Sequence, residues 1–185
     1  MWAKHKHERS GFTIVELLIV IVVIAILAAV TVVSYNGIQT RANNASRLSE
    51  FNQWRKIFEL YKVDKGSYPP PPVPVSEPLN GPANGYCLGT GFPDAKCRDY
   101  LANNGNTLTE ASSTALMDRI KTVSGIPNAR HTAVNGTVGP YVYYGYDYLQ
   151  MTVVLNGKAE DCPADLSYTY ADDKGLLLCH VVLKL

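Results

Sequence analysis

One acidic side chain stands where an acid is expensive. From Phe12 to Val33 every residue is apolar or alanine except Thr13, Glu16 and Thr31. As a helix, these about 22 residues rise about 33 Å, enough to cross a hydrocarbon core of about 30 Å. A carboxylate inside such a span costs about 2.5–3.5 kcal/mol on insertion scales, so Glu16 calls for a cationic partner. The partly positive helix start favours it there, and a chain cut after Gly11 would place a new α-amine, on Phe12, one turn away. The other residues able to do chemistry are four cysteines, Cys87, Cys97, Cys162 and Cys179, all beyond the apolar run. With no Cys-x-x-Cys pair their gaps fit no zinc template, and an even number in an oxidising setting suits two disulfides. Cys87 and Cys97 bracket a short loop whose closure is worth about 3 kcal/mol in the chain-entropy model. Cys162 and Cys179 would tie the loop before a late strand to the final strand.

The remaining candidates read as structure. Outside the first residues the histidines are His131 and His180, and His180 sits in an apolar strand pattern. No Gly-x-Ser-x-Gly, His-Glu-x-x-His or Cys/His pattern is present, so neither an enzyme nor a cofactor is expected. Gly85, Gly89 and Gly91 lack the lysine and the strand–helix context of a phosphate loop. Asp172-Asp173 matches no calcium loop and reads as a turn. Tyr141, Tyr143, Tyr144, Tyr146 and Tyr148 read as cross-strand packing before an adhesive patch. A formal net charge of +1 gives no electrostatic argument for nucleic acid.

The elements that position these residues follow from periodicity. Lys4, Lys6 and Arg9 precede the apolar run and keep that end cytoplasmic. An ordinary secretory signal has a shorter apolar region, an A-x-A-like site and no use for Glu16; a plain single-pass anchor has no use for it either. Ile38, Ala42, Ala45, Leu48, Phe51, Trp54, Phe58 and Tyr61 recur at steps of three or four and continue the helix as one apolar stripe. Between them Arg41, Asn43, Asn44, Arg47, Ser49, Glu50 and Arg55 read as a solvated face. Gly66 should cap the helix, after which seven prolines between Tyr68 and Pro82 predict an extended polyproline spacer. Thr107-x-x-Glu110 is a capping-box pattern for a short helix near 108–121. Strand formers fill 141–146, 149–155, 166–170 and 176–185, with Asn156-Gly157 as a hairpin signal and Asp172 to Gly175 as a turn. The expected fold class is α+β: a long N-terminal helix packed on a roughly four-stranded antiparallel meander.

The basic leader, then Gly11-Phe12-Thr13-Ile14-Val15-Glu16-Leu17-Leu18, then an apolar helix, resembles the class III leader of type IV pilins over about the first 33 residues. Lys65-Gly66-Ser67-Tyr68-Pro69 is similar to the turn that follows the long helix in pilins and pseudopilins, and the Cys162–Cys179 segment resembles their disulfide-bounded D-region. The resemblance implies that a prepilin peptidase cuts after Gly11 and methylates Phe12, and that Glu16 is the assembly carboxylate. It implies a subunit held by membrane lipid, head outside, then drawn by assembly machinery into a homo-oligomeric helical filament. The domain plan is then leader 1–11, membrane or filament-core helix 12–33, amphipathic helix 34–65, a Pro/Gly-rich region 66–140 and a sheet 141–185. Many pilins carry a proline in the protruding half of the helix; this chain has none there. The alternatives are a pseudopilin of a type II secretion or DNA-uptake system and, from another class, a membrane-anchored extracellular binding module.

Overall fold

The computed structural model describes residues 11–72, 85–92, 96–99, 109–127, 133–134 and 137–185. The expected leader before Gly11, the proline run beyond Pro72, Thr107, Leu108 and His131 lie outside the described residues. The chain divides into two units, Met1–Ala42 and Asn43–Leu185. A single helix, α1 (Ile14–Lys65), belongs to both.

Within the second unit α1 is a packing element. Phe51, Trp54, Ile57, Phe58 and Tyr61 are buried and Leu48 packs against them, so the expected stripe holds from Leu48 onward. The helix ends where the sequence says it should. Gly66 takes φ 80°, and its N–H donates to Lys62 O at 2.9 Å, a left-handed cap that a side chain at this position would strain. Tyr68 then folds back: its hydroxyl donates to Glu59 at 2.6 Å, and Lys62 Nζ lies 4.3 Å from its ring centre.

Among the described residues the sheet has seven strands: β1 (Gly85–Cys87), β2 (Lys96–Asp99), β3 (Thr109–Ser112), β4 (Tyr141–Tyr144), β5 (Tyr148–Asn156), β6 (Ser167–Ala171) and β7 (Leu176–Lys184). Their order is β2-β3-β1-β4-β5-β7-β6. All four expected C-terminal strands form, but not as a meander: β7 pairs with β5 along nine residues and with β6 on its other side. Asn156-Gly157 is therefore no tight hairpin. It leads into a 3-10 turn (Ala159–Asp161), where the Cys162–Cys179 bridge ties the chain to β7 before β6 takes the edge. The Pro/Gly-rich region 66–140, for which no strand is expected, supplies β1, β2 and β3, with β1 parallel to β3 and antiparallel to β4. These strands are only three or four residues long and carry no period-2 run that sequence could reveal.

The short helix, α2 (Thr114–Lys121), starts later than the Thr107-x-x-Glu110 pattern indicates. Thr109–Ser112 is strand, and Ser113 is the cap, its Oγ accepting from Leu116 N–H at 3.3 Å. Leu116, Met117 and Ile120 turn inward. The principal core gathers α1 and α2 with the inward residues of the sheet, among them Val142, Tyr144, Met151, Val153, Leu177 and Cys179. By strand alternation Tyr141, Val154 and Leu178 point the other way, into a smaller cluster with Cys87, Phe92, Cys97 and Val138.

Candidate functional site

In the N-terminal unit, Glu16 lies in the first turn of α1. Thr13 and Glu16 form a reciprocal capping box. Thr13 N–H and Thr13 Oγ1–H donate to Glu16 Oε2 at 2.8 and 2.7 Å, and Glu16 N–H donates to Thr13 Oγ1 at 3.2 Å. Two orphan donors of the helix start are met this way, and the carboxylate sits at the positive end of the helix. An ionised carboxylate has about four acceptor positions, so two bonds leave room for a further cation. Thr13-x-x-Glu16 is the same sequence pattern that misleads at Thr107; here it is the cap itself, a role for Thr13 that only the structure reveals.

Around that cap the helix presents apolar side chains in every direction. Phe12 is 84% exposed, Ile14 82%, and Leu17 through Ile24 remain open all the way round. Such a surface is far larger than the few hundred Å² that a soluble monomer leaves uncovered. The helix is long and apolar enough to cross a membrane. Gly11 and Phe12 stand just before it, outside the helical hydrogen bonds.

In the head, the residues read as a solvated face of α1 divide. Arg41, Asn43 and Ser49 are exposed, but Arg47 and Glu50 are buried. Arg47 Nη1 donates to Val138 O at 3.1 Å and Val154 O at 3.2 Å. Burial pulls the Arg47 pKa down and the nearby Glu50 carboxylate raises it. Asn44 grips the main chain of one residue from both sides: its amide donates to Asn156 O at 2.7 Å and accepts from Asn156 N–H at 2.9 Å. Arg119 on α2 donates to Pro70 O at 2.7 Å and Pro71 O at 2.9 Å, holding the start of the proline run. No sequence pattern marks Asn44, Arg47 or Arg119, because their partners are main-chain groups distant in the chain.

The other candidates settle into structural places. Cys87 bonds Cys97 and Cys162 bonds Cys179. Asp172 Oδ1 accepts from Lys174 N–H at 3.0 Å and Leu176 N–H at 2.7 Å, which makes the β6–β7 turn. His180 hydrogen-bonds Thr169 across β6 and β7, and burial holds its imidazole pKa below the usual value. Tyr141 and Tyr144 are buried, Tyr143 and Tyr148 half-buried, and Tyr146 is 54% exposed. Among the described residues no three His, Cys, Asp or Glu side chains meet as a metal site.

Comparison with known proteins finds one family model and several curated relatives. A family model described as the prokaryotic N-terminal methylation motif matches residues 6–32. The chain is 42% identical over 59 residues to the type IV wide pilus major component PilA4 of Thermus thermophilus, covering 32% of this chain and 45% of that protein. It is 29% identical over 90 residues to the type II secretion system core protein G of Pectobacterium carotovorum subsp. carotovorum, covering 43% of this chain and 58% of that protein. The corresponding protein of Aeromonas hydrophila is 33% identical over 64 residues, 35% of this chain and 45% of its own length. The chain thus spans about half the length of the curated relatives it matches. No solved structure matches it. The chain carries a prepilin-type methylation motif and is homologous to a type IV pilin and to type II secretion core proteins.

Proposed function

We propose that this chain is a structural, non-catalytic subunit, a pilin, of a type IV pilus-like extracellular filament. One observation carries the reading: the methylation motif at residues 6–32 takes in an uncovered apolar stretch of α1 whose lone acid, Glu16, is held in a cap at its first turn. A prepilin peptidase hydrolyses the Gly11–Phe12 bond, and the freed Phe12 amine accepts a methyl group from a methyl donor. The subunit waits in the membrane on α1, its cleaved N-terminus on the cytoplasmic side and its head outside, until assembly machinery draws it into a helical array.

In that array the apolar surface supplies cohesion but tolerates sliding. The Glu16 carboxylate sets axial register by taking the Phe12 amine of a neighbour, since either charge left unpaired in a dry helix bundle costs several kcal/mol. Thr13 keeps the carboxylate hydrogen-bonded while the subunit is still single, so the charge never faces lipid bare.

N-terminal sequencing of the mature protein tests the first step, with methylated phenylalanine expected at the start. Any other start sinks the proposal. Gly11→Ala should leave uncleaved precursor in the membrane, visible as a larger species on a blot. A second reading, a subunit of a type II secretion system, draws on the core protein G relatives. Deleting the gene separates them: loss of surface filaments supports the first, and loss of protein export with filaments intact supports the second.

A further inference from the structure

We infer that α1 senses the Cys87–Cys97 disulfide: through the segment Val138–Pro140 and the buried Arg47, closing that bridge seats the second half of the helix, which makes the head a redox-sensitive device. The segment is bonded to both arms of the bridge. Cys97 O accepts from Val138 N–H at 2.7 Å and Gly139 N–H at 3.0 Å, while Pro140 O accepts from Leu88 N–H, one residue past Cys87, at 2.9 Å. On its other side Val138 O accepts from Arg47 on α1, whose same nitrogen also reaches Val154 O on β5.

The junction has no slack. Gly139 takes φ 48°, and a Cβ there would run into Val154. Cys87, Cys97, Val138 and Arg47 are all buried, so the guanidinium has little access to water to replace a lost carbonyl. A buried cation deprived of an acceptor is strongly disfavoured, which is why a change at the bridge should be felt on the helix. Charge facing Arg47 comes from Glu50, one turn along the same helix. Opening the bridge takes two electrons and two protons. Dithiothreitol supplies both, leaving two thiols on Cys87 and Cys97 and closing to its own cyclic disulfide.

The test uses the full chain in detergent micelles and needs no filament, so its failure is distinct from failure of the proposed function. Hydrogen–deuterium exchange is compared among the wild type, Cys87→Ser/Cys97→Ser, Cys162→Ser/Cys179→Ser, Arg47→Met, and Arg47→Met combined with Cys87→Ser/Cys97→Ser. Opening the first bridge should speed exchange of the amides from Asn44 to Phe51 by about tenfold. Opening the second should loosen β6 and β7 and leave that stretch alone. In the Arg47→Met background, an apolar swap that buried ions often tolerate, the Cys87→Ser/Cys97→Ser changes should add nothing there.

Coupling must also run backwards. In a dithiothreitol redox buffer, Arg47→Met should shift the Cys87–Cys97 equilibrium toward thiols by about the same tenfold, with Cys162–Cys179 unmoved. This readout stands even if a serine variant fails to fold. A uniform rise in exchange across the head, an undiminished cysteine effect without Arg47, or an unchanged redox equilibrium overturns the inference.

Discussion

From Ile14 to Val32 the large side chains of α1 stand open on every side, whereas Phe51, Trp54 and Phe58, further along, have no exposed surface at all. The backbone is the same unbroken helix. What differs is the arrangement of polarity. The first stretch has one acid, satisfied locally by Thr13, and otherwise nothing to orient it. The second has one apolar face, held in register by Asn44 and Arg47 bonded to specific carbonyls of the head. Apolar area supplies attraction in both, but direction comes from a few polar atoms that must meet specific partners.

If that contrast is right, mutations in the two halves should separate cleanly. The largest expected effect is Glu16→Ala: leader cleavage intact, head stability unchanged, incorporation into filaments lost. Electron microscopy of the mutant strain checks it, and normal filament numbers would remove the polar register from the first half. Trp54→Ala should do the opposite, costing the head about 3–5 kcal/mol while cleavage after Gly11 proceeds; chemical denaturation of the head and a precursor blot read the two outcomes. Asn44→Ala removes two bonds to the main chain of Asn156 and should cost about 1–2 kcal/mol; a loss below the error of a denaturant titration would mean the apolar stripe alone orients the helix.

Two smaller tests probe where polarity stops mattering. His180 has a folded pKa lowered by burial, so its neutral form is the one the fold prefers. The stability it contributes is full above its unfolded value of about 6.5 and is lost as pH falls through the lower folded value. The wild type should therefore lose more stability than His180→Gln between neutral pH and about pH 5, measured by urea midpoints at each pH. Arg55 and Asp165 form an exposed 2.6 Å ion pair, and a double-mutant cycle there should return about 0–1 kcal/mol.

How legible was this in the residues? The first half of α1 was nearly fully so, because a long apolar run, a preceding glycine and one acid are local features. The helix cap at Gly66 and the four C-terminal strands were legible for the same reason: φ preference and β-branched runs act over a few residues. Strand order was not. That β7 enters between β5 and β6 depends on which edges meet, and pairing along nine residues wins over the local Asn156-Gly157 signal. Arg47 and Glu50 fit a solvated pattern yet are buried, because charge alone does not reveal burial against a distant part of the chain. The second half of α1 could be assigned as a helix, but its anchors only become visible once the sheet is in place.

The strand order has a consequence for biosynthesis. β7, the latest of the strands to be synthesised, forms an inner row of the sheet with a neighbour on each side. Until it emerges from the ribosome, β5 and β6 have no bridge between them. The sheet of the head therefore cannot close until the last residues of the chain have been made, whereas α1, complete far earlier, can already form.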